Sequence, residues 1–509
     1  CLKSRGLGDV YKRQLLPVLI PLAGASIILL LRSWKHWQAR SAFVIMLLSL
    51  ASSAWLFYRV WLTGEPVVFQ LGGWIAPVGI SLVGDYLSAL MVFMSQLVLF
   101  TGVTYALGAK DKNIQYPTFY PLFLTLGVGL TGALLSGDLF NLFVFAELLV
   151  ISGTILTAIS DDRFGAEAAY KYFYISLLAS AFLLLAIGSL YISYGSLNMA
   201  DLAQRIWLDP GQPLLHIAIA LLMATFMVKS AVFPFHFWQP DFHTAAPTAV
   251  SAMLSSIVVK LGVYGFLRMT TLLFVKQSEQ LQLLLVILGV IGVIFGGLSA
   301  IGTHNAKRML AYSTLAQVGF ILIGIGWGTP LSIAAALVFT FNHSLIKAAM
   351  LMLAGSVASR TTVKSAAFDV VTGVGRYMPF AGVLFFIGSL ALAGIPPTNG
   401  FINKYLIFES GVNLDAFLVL ILLALGGILT LIYTMRAFQK IWWIPLSKHD
   451  LIKANGDRLI APTLLIVLVI ALGLWAQPLL QISQVTSLWL LDPFNYIQAV
   501  LGSIIAQGF

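Results

Sequence analysis

The sequence predicts an all-α polytopic membrane protein of about fourteen transmembrane helices, with two inverted five-helix repeats that each contain a broken helix. Three observations carry this. Of 509 residues, 59% are hydrophobic and only 9% charged, where a soluble domain carries about a quarter charged residues. Apolar runs of the ~20 residues that cross a bilayer recur along the chain. Two of them, five spans apart, are interrupted by prolines and carry a lysine close to the interruption. This composition excludes a disordered chain and a nucleic-acid binder, and a single cysteine, Cys1, leaves no intrachain disulfide and no thiolate metal cluster.

Taken in order, residues 1–14 (CLKSRGLGDVYKRQ) read as a non-native leader, with a signal peptide built on Lys12 and Arg13 as the alternative. Residues 15–110 hold three spans, Leu15–Leu31, Ser41–Trp61 and Gly84–Leu107, and a Gly-, Pro- and Val-rich extracellular hairpin over Glu65–Val83. Residues 117–274 form the first repeat, with spans Pro117–Ser136, Leu139–Ser160, Ala168–Tyr194, Leu214–Pro234 and Ala246–Phe274. The second repeat, residues 281–441, holds Leu281–Gly302, Met309–Trp327, Ile333–Ala358, Pro379–Phe408 and Ala416–Ile441. Residues 459–509 supply a last span, Leu459–Leu479, and a tail from Ile482 that Asp492 and Pro493 interrupt, predicting an interfacial segment.

The net charge of +10 is mostly orientation. Loops after odd-numbered spans hold fifteen basic residues: Arg32, Lys35, Arg40, Lys110, Lys112, Arg163, Lys307, Arg308, Arg360, Lys364, Arg376, Lys440, Lys448, Lys453 and Arg458. Loops after even-numbered spans hold four, Arg59, Arg205, Arg268 and Lys276. Basic residues collect on the cytoplasmic side, so both termini are expected outside a plasma (inner) membrane. Lys3, Arg5, Lys12 and Arg13 contradict that orientation, which is why the leader reads as foreign.

The remaining basic residues, Lys171, Lys229, Lys260, Lys347, Lys404 and Arg436, fall within or at the edges of spans. A charge at mid-bilayer costs roughly 2.5 to 3.5 kcal/mol on insertion scales, so function is the default reason to keep one. Glu147, deep in the fifth span, has Lys229 as its natural partner, five residues before Pro234. Lys260 is deep in the eighth span, His343 and Lys347 share one helix face in the eleventh, and Lys404 follows the second proline break at Pro396 and Pro397. Burial weakens an ammonium group's hold on its proton and a nearby carboxylate strengthens it, so Glu147, Lys229, Lys260, His343 and Lys404 together make physical sense as a proton route. Hydrated side chains in Ser251–Ser256 and His304–Gln317 could bridge the gaps. For His343 a satisfied core histidine is the competing reading. His236 and His243 beside Pro234, Pro240 and Pro247 point to a bent loop, with no metal expected, and Asp241 is expected to cap or pair locally. Walker A, Rossmann and cysteine-cluster motifs do not occur, so no cofactor is expected.

GDLFNLFVFAE (137–147), KSAVFPFHFWQPDFHTAAPT (229–248), KRMLAYSTLAQVG (307–319), NHSLIKA (342–348) and GIPPTNGFINK (394–404) resemble the antiporter-like membrane subunits. These are the proton-translocating subunits shared by complex I (NADH:quinone oxidoreductase), energy-converting membrane-bound hydrogenases and Mrp-type sodium/proton antiporters. The resemblance implies fourteen helices around a central hydrophilic axis, with the family's glutamate on Glu147, its lysines on Lys229 and Lys260, its histidine on His343 and its terminal residue on Lys404. One complex I branch has a glutamate at that last position, and chain length and the lysine are most similar to the D-type subunits of Mrp antiporters. The acidic residue that usually precedes the Lys-Arg of the tenth-helix motif is replaced here by His304-Asn305-Ala306.

The expected function is therefore a proton-conducting subunit of a multisubunit Na+/H+ antiporter, whose partners are other membrane subunits, protons and Na+. The alternative is a proton-pumping membrane-arm subunit of complex I or an energy-converting hydrogenase, in which another subunit carries the redox chemistry. A scaffold with inert buried charges is the third reading.

Overall fold

A computed structural model describes residues 14–30, 32–445 and 455–502. The leader residues 1–13, Lys448, Lys453 and the end of the tail lie outside the described residues. Gln14, counted with the leader, is buried and donates to the Leu82 carbonyl at 3.0 Å.

The described residues are mostly helical. Helices α1 (Leu16–Leu30) and α2 (Lys35–Thr63) precede a two-stranded antiparallel hairpin, β1 (Val67–Gln70) with β2 (Ser81–Gly84), where the sequence predicts one. Then come α3 (Tyr86–Gly108), α4 (Phe119–Leu135), α5 (Leu139–Ala158), α6 (Arg163–Tyr194) and the short α7 (Met199–Leu208). The first interrupted segment is α8 (Leu215–Lys229) with α9 (Trp238–Ala245), followed by α10 (Thr248–Leu273). After α11 (Ser278–Gly302), α12 (Ala306–Gly326) and α13 (Pro330–Ser359), the second interrupted segment is α14 (Pro379–Ala393) with α15 (Asn399–Asn413). The chain ends with α16 (Phe417–Trp443), α17 (Ile460–Leu474), α18 (Gln477–Leu491) and α19 (Pro493–Leu501).

Among the described residues nine helices are long and apolar enough to cross a membrane, or up to ten if the pair α17 and α18, bent by 78°, is one span. The helices α1, α4, α8 and α14 are shorter and apolar. Polar residues bounding the apolar runs act as caps. The Asp85, Asp138 and Asp162 side chains accept the N–H of Ser88, Asn141 and Gly165, and Thr329 with Ser332 forms a reciprocal capping box. Each cap satisfies N–H groups that a bilayer cannot hydrate.

The bundle is organised around α13, which is buried along almost its whole length and packs against α3, α10, α12, α14, α15, α17 and α18. The core helix α10 is likewise buried throughout. Outward faces of α6, α11 and α16 expose Leu185, Ile192, Leu283, Leu298, Leu418 and Ile421. An apolar belt of that extent needs lipid or neighbouring subunits to cover it.

Several boundaries differ from the sequence reading. Lys35 and Arg40 belong to α2, which begins after Trp34 with no side-chain cap, whereas Arg163 opens α6 and Lys307 and Arg308 sit in the first turn of α12 because those two helices start at the polar caps Asp162 and Asn305 and not at their first apolar residue. Arg268, counted with the outer loops, lies inside α10 and is buried, because a carboxylate on another helix receives it. The tail continues as α18 and α19, which pack on α13, α3 and α7. Asp492 caps α19 by accepting the Phe494 N–H, and Pro493 takes the first helical position, where no N–H is needed, so these residues start a helix.

Candidate functional site

The first break arises where Pro234 forbids a continuous ladder. Proline lacks an N–H and clashes with the carbonyl four residues back, so α8 stops at Lys229, Ala231 takes a positive φ of 53°, and α9 starts four residues beyond Pro234. Lys229 is thus the last residue of a half-helix, where the backbone dipole favours a cation. Its Nζ stands 3.8 Å from Glu147 Oε1 on α5. The lysine side chain is 7% exposed and the glutamate 23%, so the pair lies at the edge of the bundle with its carboxylate side open. The Ser180 hydroxyl of α6 donates to the same oxygen. Among the described residues Lys229 Nζ makes no hydrogen bond. A buried ammonium paired with a carboxylate at 3.8 Å, beyond hydrogen-bond reach, is positioned for small movements to tighten or break the pair.

Ser230, next in the chain, packs against α10. A Cβ on Gly262 would come within 1.9 Å of Ser230 Oγ, so only glycine lets the break approach α10 this closely. Two residues earlier on α10, Lys260 Nζ lies 2.8 Å from His343 Nδ1 on α13 and 3.3 Å from the Ser255 carbonyl. Lys260 follows a five-residue π-helical turn, Leu254–Val258. Such turns widen the helix locally and free a backbone carbonyl for other partners. One turn further along α13, Lys347 donates to the Leu310 carbonyl at 2.7 Å.

At the second break, α14 ends at Ala393 and Gly394 turns the chain with φ +85°. Lys404 reaches back from α15 and donates to the Ala393 carbonyl at 2.7 Å, with its Nζ 5.2 Å from the centre of the Phe320 ring. A Cβ at Gly394 would stand 2.6 Å from the Lys404 Cδ, so the glycine both makes the turn and admits the lysine. Lys404, like Lys229, therefore sits at the carbonyl end of a half-helix.

The five predicted residues form two contacts and one isolated cation. Glu147 meets Lys229, Lys260 meets His343, and Lys404 is joined to the centre only indirectly: Asn403 accepts from Asn342 Nδ2 at 2.7 Å, and these asparagines precede Lys404 and His343. Among the described residues no direct hydrogen bond bridges Lys229 to Lys260 or His343 to Lys404. The polar stretches between them pack together, with Ser255 and Thr314 hydroxyls 2.6 Å apart and Tyr433 donating to Ser313 at 2.6 Å.

A polar cavity of about 650 Å³ opens beside the start of α12, lined by Lys110, Asp111, Asp162, Lys307, Arg308 and Asp457 among others. Lys307 is buried and donates to the Ala246 carbonyl at 3.4 Å, where α10 begins. Asp457 accepts the Tyr105 hydroxyl at 2.5 Å and the Lys110 N–H at 2.7 Å. Burial lifts its carboxyl above the ordinary carboxylate range, with those donors pulling the other way. Asn305 caps α12 by accepting from Lys307 N and Arg308 N, so the missing acidic residue costs no capping. Asp241 lies in the first turn of α9 and not in a loop, and it pairs across the structure with Lys171 and Arg308, each at 2.8 Å. Asp85 and Arg268, which sequence reasoning did not single out, form a further buried pair at 2.7 Å.

A helical membrane bundle with two broken segments facing enclosed lysines has the build of an ion-translocating membrane subunit. The chain belongs to the NADH:quinone oxidoreductase/Mrp antiporter transmembrane family, whose pattern matches residues 136–430. It is 32% identical to the D subunit of the Na(+)/H(+) antiporter of Alkalihalophilus pseudofirmus, over 96% of this chain and 99% of that one. Among solved structures it resembles a chain of the membrane-bound sulfane sulfur reductase, an archaeal respiratory membrane complex, with TM-score 0.88 and 29% identity over 96% of this chain and 100% of that chain. It also resembles a chain of the Mrp complex from Dietzia sp. DQ12-45-1b, with TM-score 0.87 and 26% identity over 96% and 99% of the two chains.

Proposed function

We propose that this chain is the proton-conducting subunit of a multisubunit Na+/H+ antiporter in the plasma membrane, and that protons move along Glu147, Lys229, Lys260, His343 and Lys404. The observation that carries this reading is the two pairings within the bundle, Glu147 to Lys229 at 3.8 Å and Lys260 to His343 at 2.8 Å. Glu147, partly open at the edge of the bundle, receives a proton and passes it toward Lys229. The Lys260 and His343 nitrogens share one proton, which rests on either side, and changing the charge at Lys229 shifts that balance through coupled titration. Lys404 is the terminal acceptor, and the hydrogen bond from Asn342 to Asn403 holds α15 against α13 between it and His343. The partners are the other membrane subunits of the assembly.

The same proposal gives the chain fourteen spans: nine long helices, the bent pair α17 and α18, and four shorter spans at α1, α4, α8 and α14, with α9 and α15 completing the two broken ones. Two inverted five-helix repeats, 117–274 and 281–441, account for the lysine at the carbonyl end of each broken half-helix. Both termini lie outside, on the charge asymmetry of the loops.

The experiment uses vesicles containing the whole complex. Sodium added to one side collapses an imposed pH gradient, and Glu147→Gln or Lys229→Ala abolishes that response; unchanged rates refute the proposal. A second reading, a proton-conducting arm of a redox-driven respiratory complex, is favoured by the likeness to the sulfane sulfur reductase chain. Copurified iron–sulfur subunits and a gradient that depends on a reductant would select it.

A further inference from the structure

Lys260, Tyr264 and Arg268 recur every four residues along α10 and so line one face over two turns, about 12 Å. Beyond the central Lys260 and His343 contact, this face runs toward the end of the bundle that carries the β-hairpin. There the hydrogen bonds converge on Arg268. Its Nε donates to the Tyr264 hydroxyl at 3.1 Å, and its Nη2 donates to Ser88 Oγ at 3.1 Å and lies 2.8 and 2.7 Å from the two Asp85 oxygens. The Arg268 side chain is 4% exposed and that of Asp85 0%. Tyr264 and Tyr496 rings flank the guanidinium, with its carbon 5.0 and 4.8 Å from their centres, so the tail helix α19 closes the arrangement.

A buried ion pair is weak support for stability, since an apolar pair of the same volume does as well or better. Its place inside the bundle points to another role. A proton relay needs members that both accept and donate. Tyr264 and Ser88 qualify, but a guanidinium has five donors and no acceptor and keeps its proton at physiological pH. The Tyr264 and Ser88 hydroxyls lie 3.4 Å apart, and Arg268 donates to both, so the polar line leading from Lys260 passes directly against a fixed positive charge that cannot pass a proton; fixed arginine charges exclude protons and cations from other pores.

We propose that Arg268, held by Asp85, is a positioning residue that insulates the central Lys260–His343 site from the hairpin end of the bundle and so prevents uncoupled proton leak. The inference rests on the reading of Lys260 as part of a proton route. It is tested in vesicles containing the whole complex, without sodium, by following the passive decay of an imposed pH gradient. Four forms are compared with the parent: Arg268→Lys, which keeps the charge pair and the fold but can release a proton; the neutral double variant Asp85→Asn with Arg268→Gln; and each of these two combined with Lys260→Ala. The expected result is decay faster by about tenfold in the first two, returning to the parental rate when Lys260 is removed. A merely structural role would change subunit content without making the leak depend on Lys260. Decay within about twofold of the parent in assembled Arg268→Lys complexes, or a leak that persists without Lys260, overturns the proposal. The parent reading fails differently, through sodium-dependent exchange that survives Glu147→Gln.

Discussion

Lys260 Nζ and His343 Nδ1 stand 2.8 Å apart across 83 residues of sequence, at the junction of two helices that are buried along their lengths. Only one proton fits between the two nitrogens, so on the proposed route the contact acts as a two-position switch. His343→Gln retains a hydrogen-bonding group but removes the titrating one. Sodium-dependent proton exchange in vesicles is expected to fall on the order of a hundredfold while the complex still assembles.

Glu147 shares its Oε1 with the Ser180 hydroxyl and faces Lys229. Ser180→Ala removes one donor and leaves the carboxylate with Lys229 alone. Exchange is expected to fall by only about tenfold, because a single hydrogen bond to a charged group contributes about 1.5 to 3 kcal/mol and part of it is recovered by the ion pair. Rates for Ser180→Ala and Glu147→Gln, measured side by side, check the order.

At the second break, Lys404→Met preserves the stem against Phe320 but leaves the Ala393 carbonyl without its donor. The variant is expected to assemble and to lose exchange, whereas Lys404→Arg, whose guanidinium holds its proton, is expected to assemble and still not restore it. Recovery by arginine would show that charge, and not proton release, is what the site needs.

Much of this site is legible in the sequence because membrane insertion makes buried charge rare. Depth alone matches Glu147 to Lys229, and both proline breaks stand out against apolar surroundings. Arg268 reads as a loop residue although it lies two helical turns after Lys260, on the same face. Its partner, Asp85, is the N-cap residue that precedes α3, where an acidic residue reads as an ordinary cap. Sequence spacing reports one helix at a time, so a pair joining two helices 183 residues apart leaves no local mark. For the same reason the pairing of Asp241 with Lys171 and Arg308 is invisible in its own segment.

The second break also carries a packing prediction. A Cβ on Gly400 would lie 1.7 Å from the Ala391 carbonyl oxygen, which is backbone and cannot swing aside. Gly400→Ala is expected to cost about 3 kcal/mol, seen as loss of assembled complex and a lower unfolding temperature, with any residual complex inactive. At Gly188 an added Cβ meets nothing within 4 Å, so Gly188→Ala serves as the control and is expected to assemble normally.

If protons pass through the middle of this chain, Lys260→Ala must stop them. Vesicles carrying the complete complex, with subunit content verified, are given a pH gradient and then sodium. The parent complex is expected to collapse the gradient and the Lys260→Ala complex to hold it. Collapse at the parental rate in that variant would contradict it.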